Sequence, residues 1–182
     1  IIMEFVDGMD CGALVRKHGH LPVAESCEII RQAAVALGHA HGKGLVHRDV
    51  KPGNVMVSQG TRGTEDVASA LSAPLVPASV KVLDFGLAGL AVAPVFSQPV
   101  TTGGSTLFLG TLEYISPEQI ESPDKVDARA DLYSLGATLF EMLTGRPPHV
   151  GPNAIAVLAK LLTPPAPRLR ELFPDAPLSL DE

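Results

Sequence analysis

Residues 47–54 of this 182-residue chain read His-Arg-Asp-Val-Lys-Pro-Gly-Asn, and Asp84-Phe85-Gly86 follows the apolar run Val80-Lys81-Val82-Leu83. The residue types here make up a set that few reactions need together. Asp49 is a carboxylate able to accept the proton of an attacking hydroxyl. Lys51, placed two further on in an extended stretch, points to the same side and can meet an anion. Asn54 offers an amide carbonyl oxygen and Asp84 a carboxylate, and both are hard oxygen ligands of the kind magnesium takes. Phosphoryl transfer requires just these parts, because it rests on positioning and charge neutralisation more than on covalent chemistry. Gly86 supplies backbone freedom beside a ligand. Each residue alone has an ordinary explanation, since an Asp before a strand is usually a turn or a cap. The order and spacing of the whole set are hard to obtain by chance.

The surrounding elements must bring residues 47–54 and 84 together. Residues 1–6 read as a short apolar strand broken by Asp7-Gly8. Asp10 is placed to cap a short helix ending near Gly19, and Pro22 suits the first turn of a second helix. That second helix carries Val23, Cys27, Ile30, Ala34, Leu37 and His41 at spacings of three and four, and stops at Gly42 or Gly44. Leu45-Val46 reads as a short strand entering the 47–54 loop. Val55-Met56-Val57 and Val80–Leu83 read as a strand pair, separated by an Ala-, Ser-, Pro-, Thr- and Gly-rich insertion over about 58–79. A strong helix is predicted over 127–143, with Leu132, Leu135, Leu139 and Met142 on its apolar side and Gly145 just past its end. A last helix is expected over about 153–162, after which Pro164, Pro165 and Pro167 forbid regular structure. Leu178 to Glu182 reads as the first turn of another helix.

Composition narrows the function classes. An apolar content of 46% with 19% charged residues fits a globular domain, and 182 residues suffice for one sizeable core. The net charge of −6 gives no electrostatic footprint for nucleic acid. No run of about 18 apolar residues is present, so no membrane-spanning helix is expected, and the start lacks the basic region of a secretory signal. Cys11 and Cys27 do not make a disulfide framework and read as small apolar residues in a reducing, cytoplasmic compartment. His39 and His41 stand two apart on a predicted helix, point to different faces and do not share a metal.

The His-Arg-Asp-x-Lys-x-x-Asn and Asp-Phe-Gly elements resemble the catalytic and metal-binding loops of protein kinases. The likeness runs along most of the chain. Gly110-Thr111 with Ser116-Pro117-Glu118 resembles the end of an activation segment, and Asp131-Leu132-Tyr133-Ser134-Leu135-Gly136 the start of the family's central helix. Lys51, Thr111, Gly53, Asn54-Val55-Met56 and Glu118-Gln119 are similar to bacterial, eukaryotic-like Ser/Thr kinases, and tyrosine kinases differ near the lysine.

This resemblance implies an α+β, protein-kinase-like fold: a hinge strand plus a mainly α-helical C-terminal lobe, truncated. Residues 1–182 would form a partial kinase domain, with hinge 1–10, lobe 11–182 and activation segment 84–118. The implied cofactors are ATP and Mg2+, and the implied partners are proteins with Ser or Thr acceptors. By the same likeness Met3 is the gatekeeper, Glu4 and Val6 bond the adenine through their backbone, Asp10 lies near the ribose and Met56 floors the base. Asp49, Lys51, Asn54 and Asp84 are the catalytic set, with Asn54 and Asp84 on the metal. His47 packs beneath Phe85, and Asp131 accepts hydrogen bonds from the catalytic-loop backbone. Thr101, Thr102, Ser105 and Thr106 lie where activating phosphorylation occurs, with Arg48 as the partner of the phosphate, although Gly89 replaces a basic residue that many relatives use there. The Thr111 hydroxyl bridges Lys51 and Asp49, and Glu141 favours a basic residue near the acceptor.

Several family elements are missing from the sequence: the Gly-x-Gly-x-x-Gly loop, the strand lysine, its helix Glu, and the Arg that pairs with Glu118. Loss of one well-placed electrostatic donor costs roughly a hundred- to a thousand-fold in rate, so the isolated chain is expected to transfer phosphate poorly. The parent, membrane-anchored or not through other segments, is expected to be active. Two rivals stand beside this reading. One is a non-catalytic kinase-like binding module, favoured by the missing roof of the site. The other is an aminoglycoside- or choline-type phosphotransferase, disfavoured by the elements at 110–111 and 116–118, which serve a peptide substrate.

Overall fold

Asp10 opens the first helix as its sequence position demands: its backbone is extended and its Oδ1 accepts the N–H of Ala13 at 2.7 Å. A computed structural model describes residues 5–59, 77–85, 112–163 and 166–180 of the chain. Among these residues the order is β1 (Met9–Asp10), α1 (Cys11–His18), α2 (Val23–His41), a 3-10 turn (Pro52–Asn54), β2 (Val55–Gln59) and β3 (Pro77–Val82). There follow α3 (Pro117–Glu121), a 3-10 turn (Pro123–Lys125), α4 (Ala128–Thr144), α5 (Ala154–Leu161), α6 (Leu169–Leu172) and a last 3-10 turn (Leu178–Leu180). A small antiparallel sheet and a mostly helical body together make a mixed α/β architecture.

The sheet has three strands in the order β1-β2-β3. β2 pairs with β3 from Val55↔Val82 out to Gln59↔Pro77, with an irregularity after Ser58. Ser58 and Ser79, expected in the insertion, are therefore strand residues, and their hydroxyl oxygens lie 2.6 Å apart. The remainder of the expected insertion, 60–76, lies outside the described residues. The strand expected over 1–6 is not found at residues 5–6, and 1–4 are outside the described set. The pairing strand is instead Met9–Asp10, facing Val57 and Met56. Gly8 permits that approach, because a Cβ there would meet the Val57 carbonyl oxygen at 2.4 Å. Leu45-Val46 is not a strand either: the N–H of Leu45 turns back to the Ala40 carbonyl at 3.0 Å.

The main core joins α1, α2, β2 and α4 through Cys11, Leu14, Ile29, Ala33, Leu37, Val55, Val57, Leu135 and Met142. The buried stripe of α2 is Ser26, Ile29, Ala33, Leu37 and Ala40, so it sits about one residue from the expected Cys27-Ile30-Ala34 line. Ile30 and Ala34 flank this stripe and are only partly buried. On α4, Leu132 was expected on the apolar side but is exposed. The buried face there includes Ser134 and Thr138, whose hydroxyls donate to the carbonyls of Ala130 and Ser134 at 3.0 and 2.9 Å. A satisfied hydroxyl can be buried, which is why an apolar pattern alone misplaces this face. α4 begins at the cap Asp127 and ends at Gly145, which has φ 80. A Cβ on Gly145 would stand 2.4 Å from the Gly19 carbonyl oxygen, so glycine is required where the ends of α1 and α4 meet. Short helices at 117–121 and 169–172 were not anticipated from periodicity, being too brief to show one.

Candidate active site

The β2–β3 hairpin explains how residues 54 and 84 come together. Asn54 directly precedes β2, and Asp84 stands just beyond β3. Val55 pairs with Val82, and one step further the N–H of Leu83 donates to the Asn54 carbonyl at 2.8 Å. Asp84 is therefore the residue following the one hydrogen-bonded to Asn54. It is exposed and has φ 61. Among the described residues the only other non-glycine with positive φ is Arg48, at 66°. Such conformations cost about 1–3 kcal/mol each and persist where the surroundings over-determine them.

Residues 47–54 are held by side chains from three directions. Asp131, buried at the start of α4, accepts the N–H of His47 at 2.9 Å and that of Arg48 at 2.7 Å. Its Oδ2 also accepts Nε2–H of His41, at 2.7 Å. His41 therefore serves the loop through Asp131, a role that spacing along the helix gave no sign of. The His47 ring donates from Nε2 to the Leu83 carbonyl at 2.7 Å and accepts at Nδ1 from the Asp49 N–H at 3.2 Å, which fixes its tautomer. Its ring centroid lies 4.5 Å from that of Phe85. Gln119, on α3, donates from Nε2 to the Arg48 carbonyl at 2.9 Å. Sequence reading noted Gln119 only as part of a family likeness, although Ser116-x-x-Gln119 carries the spacing of a helix-capping box.

Inside this frame the Asp49 carboxylate receives Lys51 Nζ at 3.0 and 2.9 Å and Asn54 Nδ2 at 3.1 Å. Asn54 Nδ2 also donates to the Asp49 backbone carbonyl at 2.8 Å. A carbonyl only accepts, so the amide is oriented with its nitrogen toward Asp49 and its Oδ1 turned the other way. Asn54 is buried, whereas Lys51 and Asp49 keep 27% and 17% of their side chains exposed, enough for a ligand to reach them. The oxygen donors here, an amide and a carboxylate, suit a hard divalent cation that takes its other ligands from phosphate and water. No cluster of three or more His, Cys, Asp or Glu side chains able to hold a metal by themselves occurs among the described residues.

The other predicted site residues fall as follows. Met56 is half-buried in β2, opposite Asp10 and Lys81. Asp10 uses Oδ1 for its cap and faces Arg16 at 3.9 Å, and Val6 is half-buried before β1. Glu118 is half-buried; burial and then the Glu118 charge push the Tyr133 hydroxyl up to about 12. Met3, Glu4, Gly86, Thr101, Thr102, Ser105, Thr106 and Thr111 lie outside the described residues.

A second polar cluster lies near the other end of α4. The Tyr114 hydroxyl donates to Glu141 Oε2. Burial raises the carboxyls of Glu141 and Glu113, and the Glu141 charge adds to the rise at Glu113. The Tyr114 bond and Arg16 pull Glu141 back down, and the Tyr114 hydroxyl itself is raised by burial and then by Glu141. Cys11 is fully buried, and its thiol is pushed up to about 12 by burial, with Asp10 and Glu141 adding.

Comparison with known proteins agrees with this architecture. The protein kinase domain family matches residues 1–164. The serine/threonine-protein kinase PknB of Mycobacterium leprae is 40% identical over 157 residues, covering 86% of this chain and 22% of PknB. The kinase domain of PknI from Mycobacterium tuberculosis superposes with a TM-score of 0.60 at 28% identity, covering 95% of this chain and 51% of that one. The structure of Rad53 in complex with AMP-PNP superposes with a TM-score of 0.56 at 28% identity, covering 86% of this chain and 33% of that one. The chain thus spans about a fifth of the length of the curated relative, about half of the PknI kinase domain and a third of the Rad53 chain. With a loop pinned by α4, Asp84 just beyond β3 beside it, and a family match over residues 1–164, the chain belongs to the protein kinase domain family, among the bacterial-type serine/threonine kinases.

Proposed function

We propose that the protein carrying this chain transfers the γ-phosphate of Mg·ATP to Ser or Thr hydroxyls of other proteins. The observation that carries this reading is the state of Asp49: a carboxylate fixed by Lys51 and Asn54 on a loop whose backbone is itself pinned, yet still open to solvent. In the reaction the acceptor oxygen bonds to the γ-phosphorus, the bond from that phosphorus to the bridging oxygen breaks, and the hydroxyl proton passes to Asp49. Lys51 holds the Asp49 carboxylate now and turns its ammonium to the phosphoryl group when substrate is present. Asn54, through Oδ1, and Asp84, through its carboxylate, would hold the magnesium. When bound, the ion neutralises developing charge on the phosphate oxygens. Adenine and ribose would meet Met3, Glu4, Val6, Asp10 and Met56, and the AMP-PNP complex of Rad53 supports a nucleotide in a fold of this kind. Arg48 would receive a phosphate placed on Thr101, Thr102, Ser105 or Thr106, with Thr111 bridging Lys51 and Asp49.

Among the described residues no helix is long and apolar enough to cross a membrane. The apolar side chains of Phe5, Met9 and Phe85 are exposed: Met9 lies in β1, Phe85 follows β3 and Phe5 precedes β1. The 182 residues contain neither a Gly-x-Gly-x-x-Gly loop nor the strand lysine, so this chain by itself is expected to turn over slowly.

The test is phosphate transfer from labelled ATP to a protein acceptor by the full-length protein and its Asp49→Ala and Asp84→Ala variants. Each variant is expected to lose roughly 10²–10⁴-fold in kcat. Turnover at the wild-type level in either variant removes that residue's assignment. A wild-type protein that binds nucleotide or partners but transfers nothing makes the chain a binding module.

A further inference from the structure

Arg48 holds a left-handed backbone conformation at the residue just before Asp49, and both of its peptide groups are tied. On one side its N–H donates to Asp131 Oδ1 at 2.7 Å. On the other its carbonyl accepts Gln119 Nε2 at 2.9 Å. That carbonyl belongs to the peptide plane leading into Asp49, whose N–H makes the longer bond to His47 Nδ1 at 3.2 Å, so the Gln119 contact is the shorter of the two that orient the plane from which the Asp49 side chain departs.

Gln119 is built for this contact. It is 3% exposed, and Ser116 beside it is fully buried, so water cannot replace either bond. Its Oε1 accepts the N–H and the hydroxyl of Ser116 at 3.2 and 3.1 Å. A backbone N–H only donates and a backbone carbonyl only accepts. The amide therefore has one orientation, with Oε1 toward Ser116 and Nε2 toward Arg48. Every polar atom of its head is engaged, and the link crosses 71 positions of sequence.

We infer that Gln119 is a positioning residue for phosphoryl transfer, holding the Arg48–Asp49 peptide from α3 while Asp131 holds the preceding His47–Arg48 peptide from α4. This rests on the kinase reading above. Asp131 and Gln119 hold opposite ends of the same strained residue, so loss of either lets the peptide rotate toward an ordinary conformation. Misplacement of a reacting group by about 1 Å can cost on the order of 100-fold in rate.

The experiment is steady-state kinetics of the full-length protein with Gln119→Glu, Gln119→Met and Asp49→Ala, together with amide hydrogen exchange at residues 48 and 49. Gln119→Glu keeps the shape and the acceptor for Ser116 but turns a carboxylate oxygen against the Arg48 carbonyl. Gln119→Met keeps the length and adds no charge. Both are expected to lower kcat by about 10- to 100-fold with the KM for ATP within about threefold of wild type. Exchange should quicken at residues 48–49 and not along α4. If the Glu variant fails to fold, the Met variant decides on the same criteria. A kcat within about twofold of wild type in the folded variants, with Asp49→Ala inactive, overturns the Gln119 assignment alone. So does a loss of kcat accompanied by faster exchange throughout α3 and α4, which marks a merely structural role. A wild type no more active than Asp49→Ala overturns the kinase reading, and the Gln119 assignment with it.

Discussion

Asp131 and Glu141 lie on the same helix, α4, about 15 Å apart along its axis, and each is withdrawn from water in a different company. Asp131 is fully buried and accepts two backbone N–H groups and the imidazole of His41. Glu141 is half-buried, accepts the Tyr114 hydroxyl, and has a second carboxylate, Glu113, close enough to be raised by its charge. Burial alone disfavours a carboxylate. What separates the two places is the supply of donors. Where N–H groups converge, the buried acid becomes a fastener for the loop. Where one hydroxyl and a more distant Arg16 are all that favour the charge, burial dominates and the acid resists ionisation. One helix thus presents a fixed polar node to the loop at residues 47–54 and a softer acidic cluster to the segment around residues 113–114.

The largest effect should come from breaking the fastener. Asp131→Ala leaves three donors facing an apolar gap, His47 N–H, Arg48 N–H and His41 Nε2–H. Unsatisfied buried donors cost about 1–3 kcal/mol each, and loss of a buried charged partner about 3–5 kcal/mol. Urea unfolding should show a loss of about 3–5 kcal/mol, with water entry accounting for a total below the sum of the parts. A loss under about 1 kcal/mol would mean that water or a neighbour replaces Asp131 readily, and the contrast with Glu141 would collapse.

The same contrast marks how far the chain could be read from sequence. Of the candidate set, Asp49, Lys51 and Asn54 stand in one short loop run and Asp84 follows an apolar strand, so the proximity of residues 54 and 84 could be read from the local pairing of β2 with β3. Helix ends were legible where side chains cap them, at Asp10 and Asp127, or where glycine must turn left-handed, at Gly145. The contacts of Gln119 with Arg48, of His41 with Asp131 and of Tyr114 with Glu141 were not. Each pairs polar residues far apart in sequence, and no periodicity marks a polar residue for burial. Ser134 and Thr138 misled in the same way: they line the inner face of α4, while Leu132 points to water. Apolar patterning locates a core, and the polar ties across it become visible only once the elements are packed.

A smaller effect should follow at the softer site. Tyr114→Phe removes the hydroxyl that donates to Glu141 and also one of the influences holding the Glu141 carboxyl down. The expected cost is about 1–2 kcal/mol at pH 7, since a hydrogen bond to a charged group is lost but Glu141 retains access to water. Titration of Glu141 by carbon-13 NMR should move upward in the variant. An unmoved titration would mean that Tyr114 does not set the state of Glu141.

The smallest effect, and the one of opposite sign, is expected from Glu141→Gln. The amide oxygen still accepts the Tyr114 hydroxyl, while the buried charge and its repulsion with Glu113 disappear. Both carboxyls are raised in the folded chain above the ordinary glutamate value of 4.5, so between 4.5 and those raised values the folded chain holds more protons than the unfolded one. Stability falls as pH rises through that window, and the penalty is complete above it. Removing one of the two acids removes part of the penalty, so the variant should exceed wild type by about 0.5–1 kcal/mol at pH 7, solvent screening limiting the gain. The gap should close as the pH is lowered toward 4.5, where both states of the wild type take up the proton. Urea midpoints measured from pH 4 to 7 give the test directly. If the variant is the less stable at pH 7, the Tyr114 bond to a full carboxylate outweighs the burial of that charge, and Glu141 joins Asp131 as a fastener rather than standing against it.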